Sequence, residues 1–265
     1  MDLVHDRRGG GEPLVLLHGI GSRWQAFAPV LDLLAADFEV WAVDLPGFGA
    51  SAPLPGGVPT IAALTDAIQE WMTDQGIEGG HVAGNSTGAG VALELAARGA
   101  VASACALAPI GFWNERERAF CQTSLRAARA ASRLLRPALP GLFSHTAVRA
   151  AFFAQYLAHP ARVDAAVALE DVDALLGAPA FDDVLAAFEG YVAPATAADH
   201  VPVTIAWGDH DRLLLPRQAR RAQRLLPRAR HTIVPGTGHL MMADDPEAVA
   251  AVIRAATRAP APAPS

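Results

Sequence analysis

The sequence predicts an α/β fold: a mostly parallel, doubly wound sheet interrupted by an inserted helical segment. Three observations predict it. Six short apolar runs are mostly bounded by Gly, Pro or Asp, as the buried strands of a parallel sheet are. Between them lie stretches whose apolar residues have the spacing of one helix face. The alternation stops after Ala108 and resumes at Val201, with helical pattern alone in between. Strands alternating with helices make a sheet covered on both faces.

The strand runs are residues 13–18 (PLVLLH), 38–44 (FEVWAVD), 81–85 (HVAGN), 101–108 (VASACALA), 201–207 (VPVTIAW) and 230–234 (RHTIV). The first helix is expected over 26–36, where Phe27, Val30, Leu31 and Leu34 share a face. A second runs over 61–75, with Thr60 placed to cap its first turn and Gly76 to end it. Helices over 86–98 and 246–257 complete the core. Four more are expected at 114–136, 146–159, 163–176 and 181–192, separated by Pro137, Pro140, Gly141, Pro160, Gly177 and Pro179. The domain reading is a core in two parts, 1–110 and 200–257, with a helical cap at 111–199 between them. An insertion at the carboxyl ends of parallel strands sits where such sheets bind ligands, so this one is expected to be a lid. The alternating Pro/Ala tail, 258–265, is expected to be extended and disordered.

Composition narrows the function. With 52% hydrophobic and only 18% charged residues, the chain of 265 residues can bury a deep core. A net charge of −6 argues against a nucleic-acid binder, which would be basic. No apolar run reaches the roughly 20 residues that cross a bilayer, and residues 1–11 lack the apolar core of a secretory signal. Two cysteines, Cys105 and Cys121, do not make a disulfide framework, so a cytoplasmic setting is expected. The chain has no lysine, which removes Schiff-base chemistry and the P-loop lysine together. No His/Cys/Asp cluster has metal-ligand spacing and no dinucleotide-binding glycine pattern opens a βαβ unit, so neither metal nor cofactor is expected.

Gly84-Asn85-Ser86-Thr87-Gly88 follows an apolar strand and opens an alanine-rich helix. That context puts a serine on a sharp strand-to-helix turn, its hydroxyl standing clear at the end of the sheet. A serine hydroxyl needs a base to take its proton. Of nine histidines, His239 lies in a glycine-rich loop between the last strand and the last helix, where it can be presented over the same sheet edge. His18 and His81 read as structural, and the others lack a partner pattern. The base needs a carboxylate, and either aspartate of Trp207-Gly208-Asp209-His210-Asp211 is placed to reach it.

These segments, with His18-Gly19-Ile20-Gly21, Asp44-Leu45-Pro46-Gly47-Phe48-Gly49 and Asp245-Pro246, make nearly the whole chain resemble an α/β-hydrolase-fold protein with a helical cap. The resemblance implies a catalytic Ser86, Asp211 and His239 in that chain order, with Asp209 capping a loop. It implies an oxyanion hole from the backbone amides of Ile20 and Thr87. Glu115 occupies a region where some relatives keep their acid, and is a rival to Asp211. Serine at the elbow argues against epoxide hydrolases and haloalkane dehalogenases, which carry aspartate there. Gly84-Asn85-Ser86 is similar to carbon–carbon bond hydrolases, but those carry tryptophan after the histidine, where Leu240 stands here. The β-hairpin usual before the first parallel strand is reduced to about residues 3–7, which predicts a missing edge strand.

Trp24, Phe48, Trp113, Leu213 and Met241 fall near the expected rim and are candidates for an apolar substrate pocket, with simple packing of cap on core the competing account. Arg126, Arg129 and Arg133 form a stripe along the first cap helix, read as a solvated face or as a surface attracting acidic substrates. The expected function is cofactor-independent hydrolysis of an ester, lactone or thioester of a small to medium apolar molecule. The same residues would also serve carbon–carbon cleavage, acyl transfer or a lyase or cyclase step. A ligand-binding protein that has kept the fold is the alternative from another class. The expected partner is a small-molecule substrate; helical periodicity leaves the oligomeric state open.

Overall fold

A computed structural model describes residues 1–259. Seven strands form one sheet: β1 (His5–Gly9), β2 (Glu12–Leu17), β3 (Phe38–Val43), β4 (His81–Asn85), β5 (Ala104–Leu107), β6 (Val203–Gly208) and β7 (Arg230–Val234). Their spatial order is β1-β3-β2-β4-β5-β6-β7. All neighbours are parallel except β1, which runs antiparallel to β3 from His5 opposite Val43 to Gly9 opposite Glu39. The short N-terminus therefore still builds an edge strand, two residues later than the sequence suggests. Its side chains alternate poorly with burial, because an edge strand half open to water needs no apolar run.

Helices lie between strands as the periodicity predicts. In the first half of the core they are α1 (Ala28–Ala35), α2 (Ile61–Asp74) and α3 (Thr87–Ala97). The Thr60 side chain accepts from the Ala63 amide, capping α2 as expected. After β5 the chain leaves the sheet through α4 (Glu115–Leu135), α5 (Leu139–Leu142), α6 (Thr146–Phe153), α7 (Ala165–Gly177), α8 (Phe181–Ala186) and α9 (Ala197–His200). It returns to the sheet with α10 (Arg217–Leu225), α11 (Met241–Asp244) and α12 (Pro246–Thr257). Helices α1, α11 and α12 group on one face of the sheet, and α2, α3 and α9 on the other.

Helix α10 has no counterpart in the sequence reading. Its segment, RQARRAQRL, buries only Gln218 and Ala222, so the apolar periodicity that reveals the other helices is absent. The arginine stripe on α4 divides in two. Arg126 and Arg133 are exposed, whereas Arg129 pairs with Asp182 and lies 4.6 Å over the Phe181 ring, fastening α4 to α8. The expected Pro/Ala tail falls almost wholly outside the described residues. Arg258, at its start, still reaches Asp37.

A second, smaller apolar cluster joins α5, α6 and α7 around Leu139, Phe143, Phe153, Leu157, Ala168 and Val172. Phe143, Phe152 and Phe153 pack ring against ring, with centroids 5.2 to 6.1 Å apart. The insertion is thus held partly by its own apolar cluster and partly by the main core, which takes in Leu125 of α4 and Phe181, Val184 and Leu185 of α8.

Candidate active site

Ser86 sits between the end of β4 and the start of α3 with φ 56° and ψ −112°. A non-glycine residue held there costs of order 1–3 kcal/mol, so the surroundings must impose it. They do so by close approach. A side chain on Gly84 would collide with the Gly88 carbonyl, and one on Gly88 with the carbonyl of Leu17. The Ser86 amide donates to the Leu107 carbonyl at 2.9 Å, and the Gly88 amide to the His18 carbonyl at 3.1 Å. The turn is therefore locked to both neighbouring strands.

His239 and Asp211 come together from loops 28 residues apart. The His239 Nδ1–H donates to Asp211 Oδ2 at 2.9 Å, and both side chains are buried. The other oxygen, Oδ1, accepts the amides of Leu213 and Leu214 at 2.9 and 2.8 Å. Three donors fix the carboxylate and leave His239 Nε2 as the free ring nitrogen. Asp209 instead accepts the Gly236 amide at 2.7 Å, partly exposed, and so caps the loop that carries His239. Glu115 is an exposed first residue of α4 and takes no part.

Ser86, His239, Gly19, Ile20, Gly21 and Asn85 all line one cavity of about 190 Å³. A Cβ on Gly19 would lie 3.1 Å from the Ser86 Cβ, so the loop after β2 runs directly past the serine. Thr87 is the first residue of α3, where an N–H has no carbonyl one turn back to accept it. Behind this loop His18 is wholly buried. Its Nδ1–H donates to the Gly19 carbonyl at 2.7 Å and its Nε2 accepts the Leu45 amide at 3.0 Å. Burial holds it below the ordinary histidine range, so it stays neutral and structural.

Of the five apolar pocket candidates, only Leu213 lines the cavity. Phe48 is buried under the loop, edge-on to His18 at 5.9 Å. Trp24 packs against the core while its amide donates to Asp44 Oδ1 at 2.6 Å. Trp113 lies against Phe188 at 5.2 Å. Met241 points into the core as α11 begins, and its neighbour Leu240 faces the cavity instead. Position in sequence near a loop of the candidate site does not say which way a side chain turns. The apolar wall comes mainly from the insertion: Leu125, Phe152, Phe153, Tyr156, Val172 and Leu175.

One organising residue was not legible in the sequence. Asp244 accepts amides from Gly238 at 2.8 Å, Ala158 at 2.9 Å and His159 at 2.8 Å. It thereby ties the His239 loop to the segment after α6. The Leu240 amide adds a bond to the Tyr156 carbonyl at 2.9 Å. The neighbouring Asp245 does the legible job, capping α12 through the Ala248 amide.

With this geometry in place, the comparisons with known proteins fit. Residues 14–252 match the alpha/beta hydrolase family. The chain belongs to that family. It is 28% identical over 246 residues, 91% of its length, to the dihydrolipoyllysine-residue acetyltransferase component of the acetoin cleaving system of Pseudomonas putida. That match spans 62% of the relative, so this chain covers less than two thirds of it. It is 26% identical over 239 residues to Lipase 3 of Moraxella sp., covering 88% of this chain and 73% of the lipase. Among solved structures, a hydrolase from Pseudomonas aeruginosa superposes with a TM-score of 0.76 at 19% identity, covering 97% of this chain and 94% of that one. The family match covers most of the chain, and the structural likeness shows the same fold. Among the described residues, no helix is long and apolar enough to cross a membrane.

Proposed function

We propose that this hydrolase cleaves a carboxylic ester, lactone or thioester of a small to medium apolar substrate through Ser86, His239 and Asp211, with α4 to α8 as a cap over the site. The observation that carries the reading is the 2.9 Å bond from His239 Nδ1–H to Asp211, with His239 and Ser86 lining one cavity.

In this mechanism His239 Nε2 takes the Ser86 hydroxyl proton as Oγ attacks the carbonyl carbon. Asp211 holds the tautomer and stabilises the imidazolium. The oxygen that gains charge is met by the amides of Ile20 and Thr87, each worth a few kcal/mol in a water-poor site. Collapse of the tetrahedral intermediate expels the alcohol, which leaves with the proton from His239. A water then gives its proton to His239 and attacks the acyl-enzyme, and as that second intermediate collapses His239 returns the proton to Ser86 Oγ and the acid is released.

The test is fluorophosphonate labelling of the wild type and of Ser86→Ala, read by intact mass and peptide mapping. One adduct on Ser86, absent from the variant, is expected. A folded wild-type protein that takes no label would overturn the reading.

A further inference from the structure

Besides Ser86 and His239, the cavity wall carries the polar residues Gln25 and Asp171. They lie at the seam between the loop after β2 and helix α7. Arg23 extends its Nη2 to Glu170 at 2.7 Å, joining the two elements. Next to Glu170, Asp171 lines the cavity, as does Gln25 two residues after Arg23. No arginine lines the cavity, and Asp171 is the only carboxylate on its wall among the described residues.

Neither group has a hydrogen-bond partner within the protein. Arg23 Nη2 bonds Glu170 and makes only a longer ion pair with Asp171, at 3.9 Å and too far for a hydrogen bond, while its Nε is buried without a partner. Among the described residues no donor hydrogen-bonds to the Asp171 carboxylate. Gln25 Oε1 is buried without a partner. The region thus sets one cation, Arg23, against two carboxylates, so that Arg23, Glu170 and Asp171 sum to one negative charge, with a buried Gln25 acceptor on the same cavity wall. Burial, with the charge of Glu170, pushes the Asp171 carboxyl up to about 6 against the pull of Arg23. A carboxylate that is costly in the free protein is a ready partner for a ligand cation.

We infer that Asp171, with Gln25 beside it, binds a cationic substituent, an ammonium or similar group, at the end of the substrate remote from the scissile carbonyl. This deepens the hydrolase reading and rests on it for the orientation of the substrate. The remaining wall is apolar, so the fitting ligand has an alkyl or aryl body between its carbonyl and its charge.

The experiment compares 4-nitrophenyl 6-aminohexanoate with 4-nitrophenyl heptanoate, in which a methyl replaces the ammonium. The ratio of their kcat/KM values is measured at pH 8 for wild type and Asp171→Asn. The wild-type ratio is expected to exceed that of the variant about tenfold, the worth of one charge-assisted hydrogen bond. A second arm needs no turnover: the thermal midpoint of each protein with heptylammonium chloride or with heptan-1-ol. Stabilisation by the ammonium alone, lost in Asp171→Asn, is expected. If both esters are inert but this selective stabilisation holds, the cation site stands and the hydrolase reading falls. If the esters turn over with the same ratio in both proteins and the ammonium stabilises neither selectively, the cation site is wrong and the hydrolase reading stands.

Discussion

Asn85 and His239 are tied by a hydrogen bond from the Asn85 side-chain Nδ2 to the His239 carbonyl at 3.0 Å. The same amide nitrogen donates to the Leu107 carbonyl at 3.1 Å. The residue before the serine therefore spans two strand ends and the histidine loop, in a position 1% exposed. Both acceptors are carbonyls, so only a donor serves there.

Replacing that donor is expected to loosen the histidine without removing it. Asn85→Asp puts a carboxylate against two carbonyl oxygens, and Asn85→Ala takes the side-chain donor from the His239 carbonyl and leaves the Leu107 carbonyl with the Ser86 amide alone. Either change should lower kcat about 10- to 100-fold with a smaller effect on KM, because the lost quantity is positioning. Steady-state kinetics on a 4-nitrophenyl ester measure it. An equal rise in KM with kcat intact would instead place Asn85 in substrate binding.

Asp211 and Asp209 should separate cleanly. Asp211→Asn replaces the acceptor of the His239 Nδ1–H and is expected to reduce kcat by about three to four orders of magnitude. Asp209→Asn disturbs only the Gly236 amide and should cost less than about tenfold. Glu115→Gln should leave the rate unchanged. A loss centred on Asp209 or Glu115 would reassign the acid.

Asp171 makes a prediction about stability as well as binding. Its carboxyl titrates at about 6 in the fold and at 3.8 in the unfolded chain, so the fold holds the proton more tightly. The penalty is complete above about pH 6 and fades as the pH falls towards 4. Asp171→Asn should therefore raise the melting temperature at pH 7.5 and have no such effect at pH 4. With the side chain 41% exposed, solvent screening leaves about 1 kcal/mol, or roughly 2–4 °C. A lower melting temperature at pH 7.5 would mean that attraction to Arg23 outweighs burial.

Asp244→Ala should unfold the protein earlier by removing one acceptor from three amides. Partial rescue by water leaves a loss of about 3 kcal/mol, or roughly 6–12 °C in melting temperature. Calorimetry on the variant tests it. An unchanged midpoint would show that the His239 loop and the segment after α6 hold together through the Leu240–Tyr156 bond and apolar contacts alone.

The mostly parallel sheet and its flanking helices were legible because burial on both faces writes continuous apolar runs, and burial on one face writes a 3.6-residue period. Ser86 and His239 were legible for a related reason: tight turns demand glycine at set offsets, and those glycines mark the chain. Helix α10 was hidden because a helix that buries two residues has almost no period to read. The local sequence also placed two aspartates within reach of His239, and family resemblance favoured Asp211. Only the folded chain gave one of them the histidine and the other a loop amide. The pocket was the least legible part. Phe48 and Met241 sit beside functional loops yet turn inward, while Asp171 and Gln25 reach the cavity from segments with no motif. Backbone conformation and apolar period are short-range properties and are encoded locally. Which side chains share a cavity depends on how the insertion docks on the sheet edge, through contacts such as Arg23–Glu170 and Asp244 with Ala158 that join residues 147 and 86 positions apart, and that is decided only in three dimensions.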